Sequence, residues 1–420
     1  MTVGLLLVSL LTFVELNCEN LFDCRHDSLR ADTEFLPEAP RHWTASRYWR
    51  KLDNIGRAIL SCGEDSTDCY IPDLVALCEV ENDTVLRDLT KRSLLRNARY
   101  GYVMTDSPDD RGIDVALLYH EFSFAPITHA SLRVAPVRGM RPTRDILYVA
   151  GRVITDDTLH IFVVHAPSRR GGERATRRHR LAVAGRLCEA IDSVRTVQPG
   201  ASIIVAGDFN DYAADSALAY IGRHGMVNVT ARARGSHGAK ATYRYDGKWG
   251  SLDHVFLSGS LMPRFEWSRV NDLPFLTEPD ATYGGVKPRR TYVGYRYRRD
   301  GYSDHLPLVG RVCRGWFTPP IPEYCLPFLV AAHRHAFGYG VKQSAWILCS
   351  VAFWPDGYKD RLACRQLFRH RNSDSVSYSF FLHPRCFFDS THSAETPLMH
   401  ATGMYAGSRN SHCPAFNALV

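Results

Sequence analysis

Short apolar runs recur along this chain, and nearly every one is followed at once by a cluster of polar residues. Residues 202–206, Ser-Ile-Ile-Val-Ala, are apolar and rich in β-branched side chains, the signature of a buried strand. Gly207, Asp208, Phe209, Asn210 and Asp211 follow directly. The same texture predicts strands over residues 13–23, 73–82, 111–119, 146–153, 159–172, 252–258 and 308–312. Helical spacing predicts a helix after Thr44, a suitable N-cap, with Tyr48, Leu52, Ile55 and Ile59 on one face. Residues 82–95 have helical periodicity, and residues 176–194 read as a basic amphipathic helix. Mixed strands and helices with polar strand ends imply an α/β protein whose site lies at one edge of its sheets. No repeat of solenoid length is present. After about Gly315 the tail is dense in Cys, His, Ser and aromatics and has no sustained period. Residues 314–420 are therefore expected to be an extension that is poorly ordered or lacks a compact core.

Composition changes this picture little. The 420 residues suffice for a large core, and 45% apolar and 23% charged residues are ordinary for a globular chain. A net charge of +7 allows an anionic partner without requiring one. Arginine outnumbers lysine, which suits two-point contacts to phosphate or carboxylate. The 12 cysteines show no CxxC pair and no zinc-type spacing. Cys62 and Cys69 are spaced to bridge a loop, Cys18 and Cys24 lie near each other, and most of the thiols are expected to be free. No apolar run has transmembrane length. Residues 4–11 resemble a signal-peptide core without its basic start or cleavage site, so an uncleaved strand fits as well and the compartment stays open.

Five strand-end clusters carry candidate chemistry: Asn17 with Glu19, Glu79, His165 with Arg169, Asp208 with Asn210, and Asp304 and His305 with Asp253. Carboxylate oxygens suit Mg²⁺, which takes one or two protein carboxylates and keeps waters. A histidine paired to a carboxylate is held in one tautomer and stabilised when charged. Asn and Arg donate to phosphate oxygens as charge develops. The set suits cleavage of a phosphate ester.

Seven motifs occur in order: Asn-x-Glu-Asn-Leu-Phe-Asp, Leu-Cys-Glu-Val-Glu-Asn, Arg-Gly-Ile-Asp-Val-Ala-Leu-Leu-Tyr, His-Ala-Pro-Ser-Arg-Arg-Gly-Gly, Gly-Asp-Phe-Asn-Asp, Leu-Asp-His-Val-Phe and Ser-Asp-His-Leu-Pro. Together they resemble the endonuclease/exonuclease/phosphatase superfamily, most closely its bacterial members labelled endonucleases. The resemblance assigns a catalytic domain to residues 12–313. It implies a deoxyribonuclease-like fold, a two-sheet α/β sandwich with helices outside. By that resemblance Glu79, Glu19 and Asp304 are metal-shell carboxylates for Mg²⁺ or Mn²⁺. Asp208 orients or deprotonates the attacking water, Asn17 and Asn210 contact phosphate, and His305 is the catalytic histidine paired with Asp253. His165 matches the second histidine of the deoxyribonuclease branch, a donor to the leaving oxygen, with Asp114 as its orienting partner. Arg111, Arg144, Arg169 and Arg170 are candidates for phosphate contacts.

Plainer readings accompany each assignment. Glu79 also suits a helix cap, Asn17 and Asn210 suit turns, and Asp114 suits an ion pair with Arg111. Arg169 and Arg170 suit a solvated basic run, and Asp253 and Asp304 suit loop acids. The expected reaction is in-line attack of water on a phosphodiester, with nucleic acid as the first substrate class. A small or lipid phosphoester is the second, and a phosphate-binding module without turnover is the non-enzymatic alternative. A monomer is expected.

Overall fold

The computed structural model describes residues 7–63, 70–139, 141–317, 348–352, 363–372 and 375–382. One compact unit is built on Leu10–Cys313. Its main strands, in chain order, are β1 (Leu7–Leu21), β2 (Leu74–Val80), β3 (Tyr100–Met104), β4 (Asp114–His120), β5 (Phe124–Leu132) and β6 (Ile146–Val153). They continue as β7 (Thr158–His165), β8 (Ser202–Asp208), β9 (Met226–Asn228), β10 (Asp253–Ser258), β11 (Phe265–Val270) and β12 (Leu308–Phe317). Two six-stranded mixed sheets result, ordered β11-β12-β1-β2-β4-β3 and β5-β6-β7-β8-β10-β9. The helices are α1 (Ala45–Ser61), α2 (Asp83–Lys91), α3 (Glu173–Val197) and α4 (Ser216–Arg223).

The continuous apolar run of β8 is explained by burial on both faces. Ile204 and Ala206 join Phe13, Ala76, Ile161 and Val163 in the core between the sheets. Ile203 and Val205 face the other way, onto Val183, Leu187 and Ile191 of α3 and Leu218 and Ile221 of α4. A strand covered on both sides has no polar face to show. Tyr48, Leu52, Ile55 and Ile59 of α1 are buried against the first sheet. This is the two-sheet sandwich with helices outside.

The predicted elements are present, with adjusted ends. Residues 82–95 divide into α2 and a 3-10 turn at Leu94–Asn97, because Arg92 leaves helical geometry. Thr44 is the N-cap of α1 by position, but its hydroxyl makes no capping bond. Strands β3, β5, β9 and β11, helix α4 and three small hairpins were not anticipated. The exposed alternation of β5 and the three-residue length of β9 leave little apolar signal. In the extension, Leu348–Ala352, Ala363–Asn372 and Ser375–Leu382 form a three-stranded antiparallel sheet; the rest of the expectation for residues 314–420 lies largely outside the described residues. Among the described residues no helix is long and apolar enough to cross a membrane.

Candidate active site

Parallel pairing of β7 with β8 sets His165 opposite Asp208, and antiparallel pairing of β8 with β10 sets Asp253 opposite Asp208. Three polar side chains thus stand side by side at one end of the second sheet. Gly207 makes the row possible. Its φ is +150°, and a Cβ there would lie 1.8 Å from the Val164 carbonyl oxygen. Only glycine permits that approach.

The first sheet reaches the same place through two irregularities. The β1–β2 register shifts between Asn17 and Leu21, and the β2–β4 register shifts between Cys78 and Val80. Glu19, Asn20 and Glu79 sit there with φ of 51°, 56° and 62°. Such bulges re-aim a side chain that a regular strand would point elsewhere. Asn210, with φ 50°, does the same after β8.

Hydrogen bonds join the two sheet ends. Asn17 Nδ2 donates to Asp208 Oδ2 at 3.0 Å, and the Asn210 backbone N–H donates to Asp208 Oδ1 at 2.8 Å. Asn17 Oδ1 accepts the Glu19 N–H at 2.9 Å. His305, on the loop before β12, approaches Asp253 with Nδ1, 2.8 and 3.0 Å from the two carboxylate oxygens. The Thr242 hydroxyl donates to the same carboxylate, and the Tyr243 ring lies 4.8 Å from the His305 ring. His165 Nε2 faces Asp208 Oδ2 at 3.7 Å and Glu79 Oε1 at 4.0 Å.

These contacts give the two histidines opposite charge states. The Asp253 carboxylate, with Asp304 and Asp208 nearby, raises His305 well above its ordinary value despite burial, so it is an imidazolium at neutral pH. Burial, reinforced by Arg144, Arg111 and His305, holds His165 well below its ordinary value, so it is neutral. Burial and the nearby Asp253 push Asp208 up to about 7. Glu19 is also pushed up to about 7, by burial and by Asp304.

Most of the expected site residues converge, but four differ from expectation. Asp114 does not orient His165: its carboxylate accepts from Thr105 Oγ1, Ser107 Oγ and the Ser107 N–H, while His165 Nδ1 is buried without a hydrogen-bond partner among the described residues. A neutral His165 can donate a hydrogen bond to the leaving oxygen, but it is a weaker acid than an imidazolium that would protonate it. Arg144 is not free for phosphate: it is buried and donates to Asp109 and to the carbonyls of His165 and Ala166. Arg169 pairs with Asp215 at 3.0 Å and lies over the Tyr212 ring. Arg111 remains at the site, donating to Asn20 and 3.9 Å from Glu79, and Arg170 is exposed. Helix α2 is capped by the Asn82 side chain, which leaves Glu79 for the site.

The donors suit a divalent cation. Asp208, Asp253 and His305 can each bring one ligand atom within 4.8 Å of the others. The expected trio of Glu19, Glu79 and Asp304 does not close in that way. Glu19 accepts the Thr291 N–H at 2.6 Å and the Arg290 Nε at 3.4 Å, and Arg290 also donates to Asp304 at 2.9 Å. Glu79 Oε2 accepts the Asn20 N–H at 2.8 Å, while its Oε1 has only the longer approaches of Arg111 and His165. Carboxylates crowded together, with raised proton affinity from one another's charge, are the electrostatic condition that a cation relieves.

Three residues at the site went unanticipated. Arg290 and Lys51 carry no motif; Lys51 is buried 3.9 Å from Glu19 and donates to Thr291 and Tyr302. Glu15 had a signal, since it shares a strand face with Asn17 two residues on. It is fully buried, neither carboxylate oxygen has a hydrogen-bond partner among the described residues, and burial plus Asp253 and Asp208 raise it well above its ordinary value.

A sequence model described as the Endonuclease/Exonuclease/phosphatase family matches residues 12–314. A search of curated proteins returned no match. Among solved structures, an endonuclease/exonuclease/phosphatase family protein from Bacteroides thetaiotaomicron is 13% identical with a TM-score of 0.49, covering 73% of this chain and 99% of its own. The mannosyl-6-phosphatase Bt3783 of Bacteroides thetaiotaomicron VPI-5482 is 16% identical with a TM-score of 0.48, covering 71% and 98%. A truncated Caenorhabditis elegans TDP2 is 14% identical with a TM-score of 0.43, covering 72% and 98%.

Proposed function

Because this chain belongs to the endonuclease/exonuclease/phosphatase family, we propose that it is a divalent-metal-dependent phosphoesterase that hydrolyses phosphodiesters of nucleic acid by in-line attack of water. The observation that carries this reading is the juxtaposition of a charged His305, fixed by Asp253, with Asp208, fixed by Asn17 and the Asn210 N–H.

Asp208 is the group that takes the proton of the attacking water, since a carboxyl with affinity near neutral pH matches that task. His305 spends Nδ1 on Asp253, which leaves Nε2–H to donate to a phosphoryl oxygen as negative charge builds. His165 presents its Nε2 toward the same space. Arg111 adds positive charge beside Glu79. A Mg²⁺ or Mn²⁺ ion held by Glu79 and Asp304 would supply charge neutralisation at the phosphoryl oxygens and the leaving oxygen. No covalent intermediate is required.

The test is an assay of plasmid DNA, RNA, inositol phosphates and sphingomyelin with Mg²⁺ or Mn²⁺. Nucleic-acid cleavage is expected, and Asp208→Asn and His305→Ala are expected to lower its kcat by roughly 10²–10⁴-fold. Wild-type rates in both variants would overturn these roles.

A further inference from the structure

A second cleft opens beside the site. It is lined by Tyr212, Arg232, Arg234, Lys240, Trp249 and Ser251 among others, and no acidic residue lines it. Arg232, Arg234 and Lys240 are exposed, and none makes an ion pair within the described residues. Three cations converging without a counter-charge make a site for an anion. The cleft also offers aromatic surface. Tyr212 is 44% exposed, with the Arg169 guanidinium 4.6 Å from its ring centroid, and Trp249 carries Arg244 at 5.5 Å.

Its position ties it to the catalytic centre. The hairpin of Tyr243–Tyr245 and Lys248–Gly250 is a wall common to both. Tyr243 touches His305, and its cross-strand partner Gly250 lines the cleft. Paired residues in such a ladder have Cα atoms about 5 Å apart. The Tyr212 ring packs on Gly250 so closely that a Cβ there would meet it at 2.4 Å. Tyr212 itself lies two residues past Asn210, and Ser251 two residues before Asp253. A chain whose scissile phosphate sits at His305 and Asp208 would reach this cleft with its neighbouring unit.

We propose that this cleft is a subsite for the nucleotide next to the cleaved bond in a single-stranded polynucleotide, with Arg232, Arg234 and Lys240 holding its phosphate and Trp249 and Tyr212 its base. The assignment rests on the phosphodiesterase reading. Phosphate-tracking cations interleaved with aromatic rings are the combination that binds single strands without regard to sequence.

The test uses the full chain with Arg232, Arg234 and Lys240 all changed to Ala, three exposed positions away from the catalytic groups. Anisotropy of a short fluorescein-labelled single-stranded oligonucleotide, measured in EDTA, is expected to show about tenfold weaker binding or more. The slope of log affinity against log salt is expected to become shallower by about 2, roughly 0.7 for each cation removed. Trp249→Ala is expected to weaken the same strand by about fivefold or more. Hydrolysis of bis(p-nitrophenyl) phosphate, which has no second phosphate, is expected to stay within about twofold of wild type. Unchanged oligonucleotide affinity would overturn the subsite, as would an equal fall on both substrates. Inositol bisphosphate competing as well as the strand, mole for mole, would overturn the assignment to a polynucleotide. The binding arm needs no turnover, so its failure is separable from failure of the phosphodiesterase reading.

Discussion

At the end of the first sheet, Glu19, Asn20 and Glu79 lie in the left-handed region of backbone space and interrupt the strand register. At the end of the second sheet, His165, Asp208 and Asp253 sit in unbroken register on three adjacent strands. A regular ladder suffices for the second set because its side chains need only stand in a row. The first set must turn carboxylates toward a common point, and alternation along a strand forbids that without a bulge. Each left-handed non-glycine residue costs about 1 kcal/mol, a cost that persists only where the surroundings enforce it. The histidines follow the same division. His305, on a loop joined to the first sheet, is charged; His165, inside the second, is neutral.

The largest effect that tests this contrast falls on the regular side. Gly207→Ala places a methyl group against the Val164 carbonyl and is expected to cost about 3 kcal/mol or more, read as a lowered urea midpoint. An unchanged midpoint would mean that the row does not need the close approach. On the bulged side, Glu79→Gln keeps the shape and removes the charge. It is expected to raise the metal concentration for half-maximal activity by about tenfold or more, with little change in melting temperature. An unaltered metal requirement would remove Glu79 from the ion's shell.

The histidine contrast is sharpened by titration. Imidazole nitrogen NMR is expected to show His305 protonated at pH 7.5 and His165 neutral at pH 6. Since His305 is raised on folding, its stabilisation is complete below about pH 6.5 and is lost as pH climbs through the folded value. Asp253→Asn is expected to bring His305 back toward 6.5 and to remove that alkaline loss. His165 is lowered on folding, so it costs stability as pH falls below about 6.5. Two neutral histidines at pH 7.5 would dissolve the contrast. A last effect concerns Glu15. Its folded value is raised, so folding is favoured most below pH 4.5 and penalised increasingly as pH rises from there. Glu15→Gln is expected to gain up to roughly 1.4 kcal/mol per pH unit above that point until the folded value is reached, and nothing at pH 4. A variant no more stable at pH 8 than wild type would mean that Glu15 has a partner that satisfies its charge.

Much of this was legible in the chain. The run Ile203-Ile204-Val205 announced a strand buried on both faces, and the polar residues after each such run announced a shared edge. Asp208, His305, Asp253, Asn17 and Glu79 were readable because each lies in an ordered motif at or near the edge of a strand. Asp114 misled for the same reason: it begins β4 beside the site, yet Thr105 and Ser107 reach its carboxylate first. Arg144 misled because a guanidinium that binds carbonyls looks, in sequence, like one that binds phosphate. Arg290 and Lys51 were invisible, since neither lies in a motif and the contacts of Arg290 with Glu19 and of Lys51 with Thr291 span more than 200 positions.

The sequence by itself determined the strands, the apolar faces and the kinds of polar group that finish them, because side-chain periodicity and β-branching are local properties. Charge states, the choice between Asp114 and no partner for His165, and the counter-ions of Glu19 and Asp304 were decided only by the tertiary structure. Burial and Coulomb interaction act through space, across sheets and loops that the order of residues does not measure.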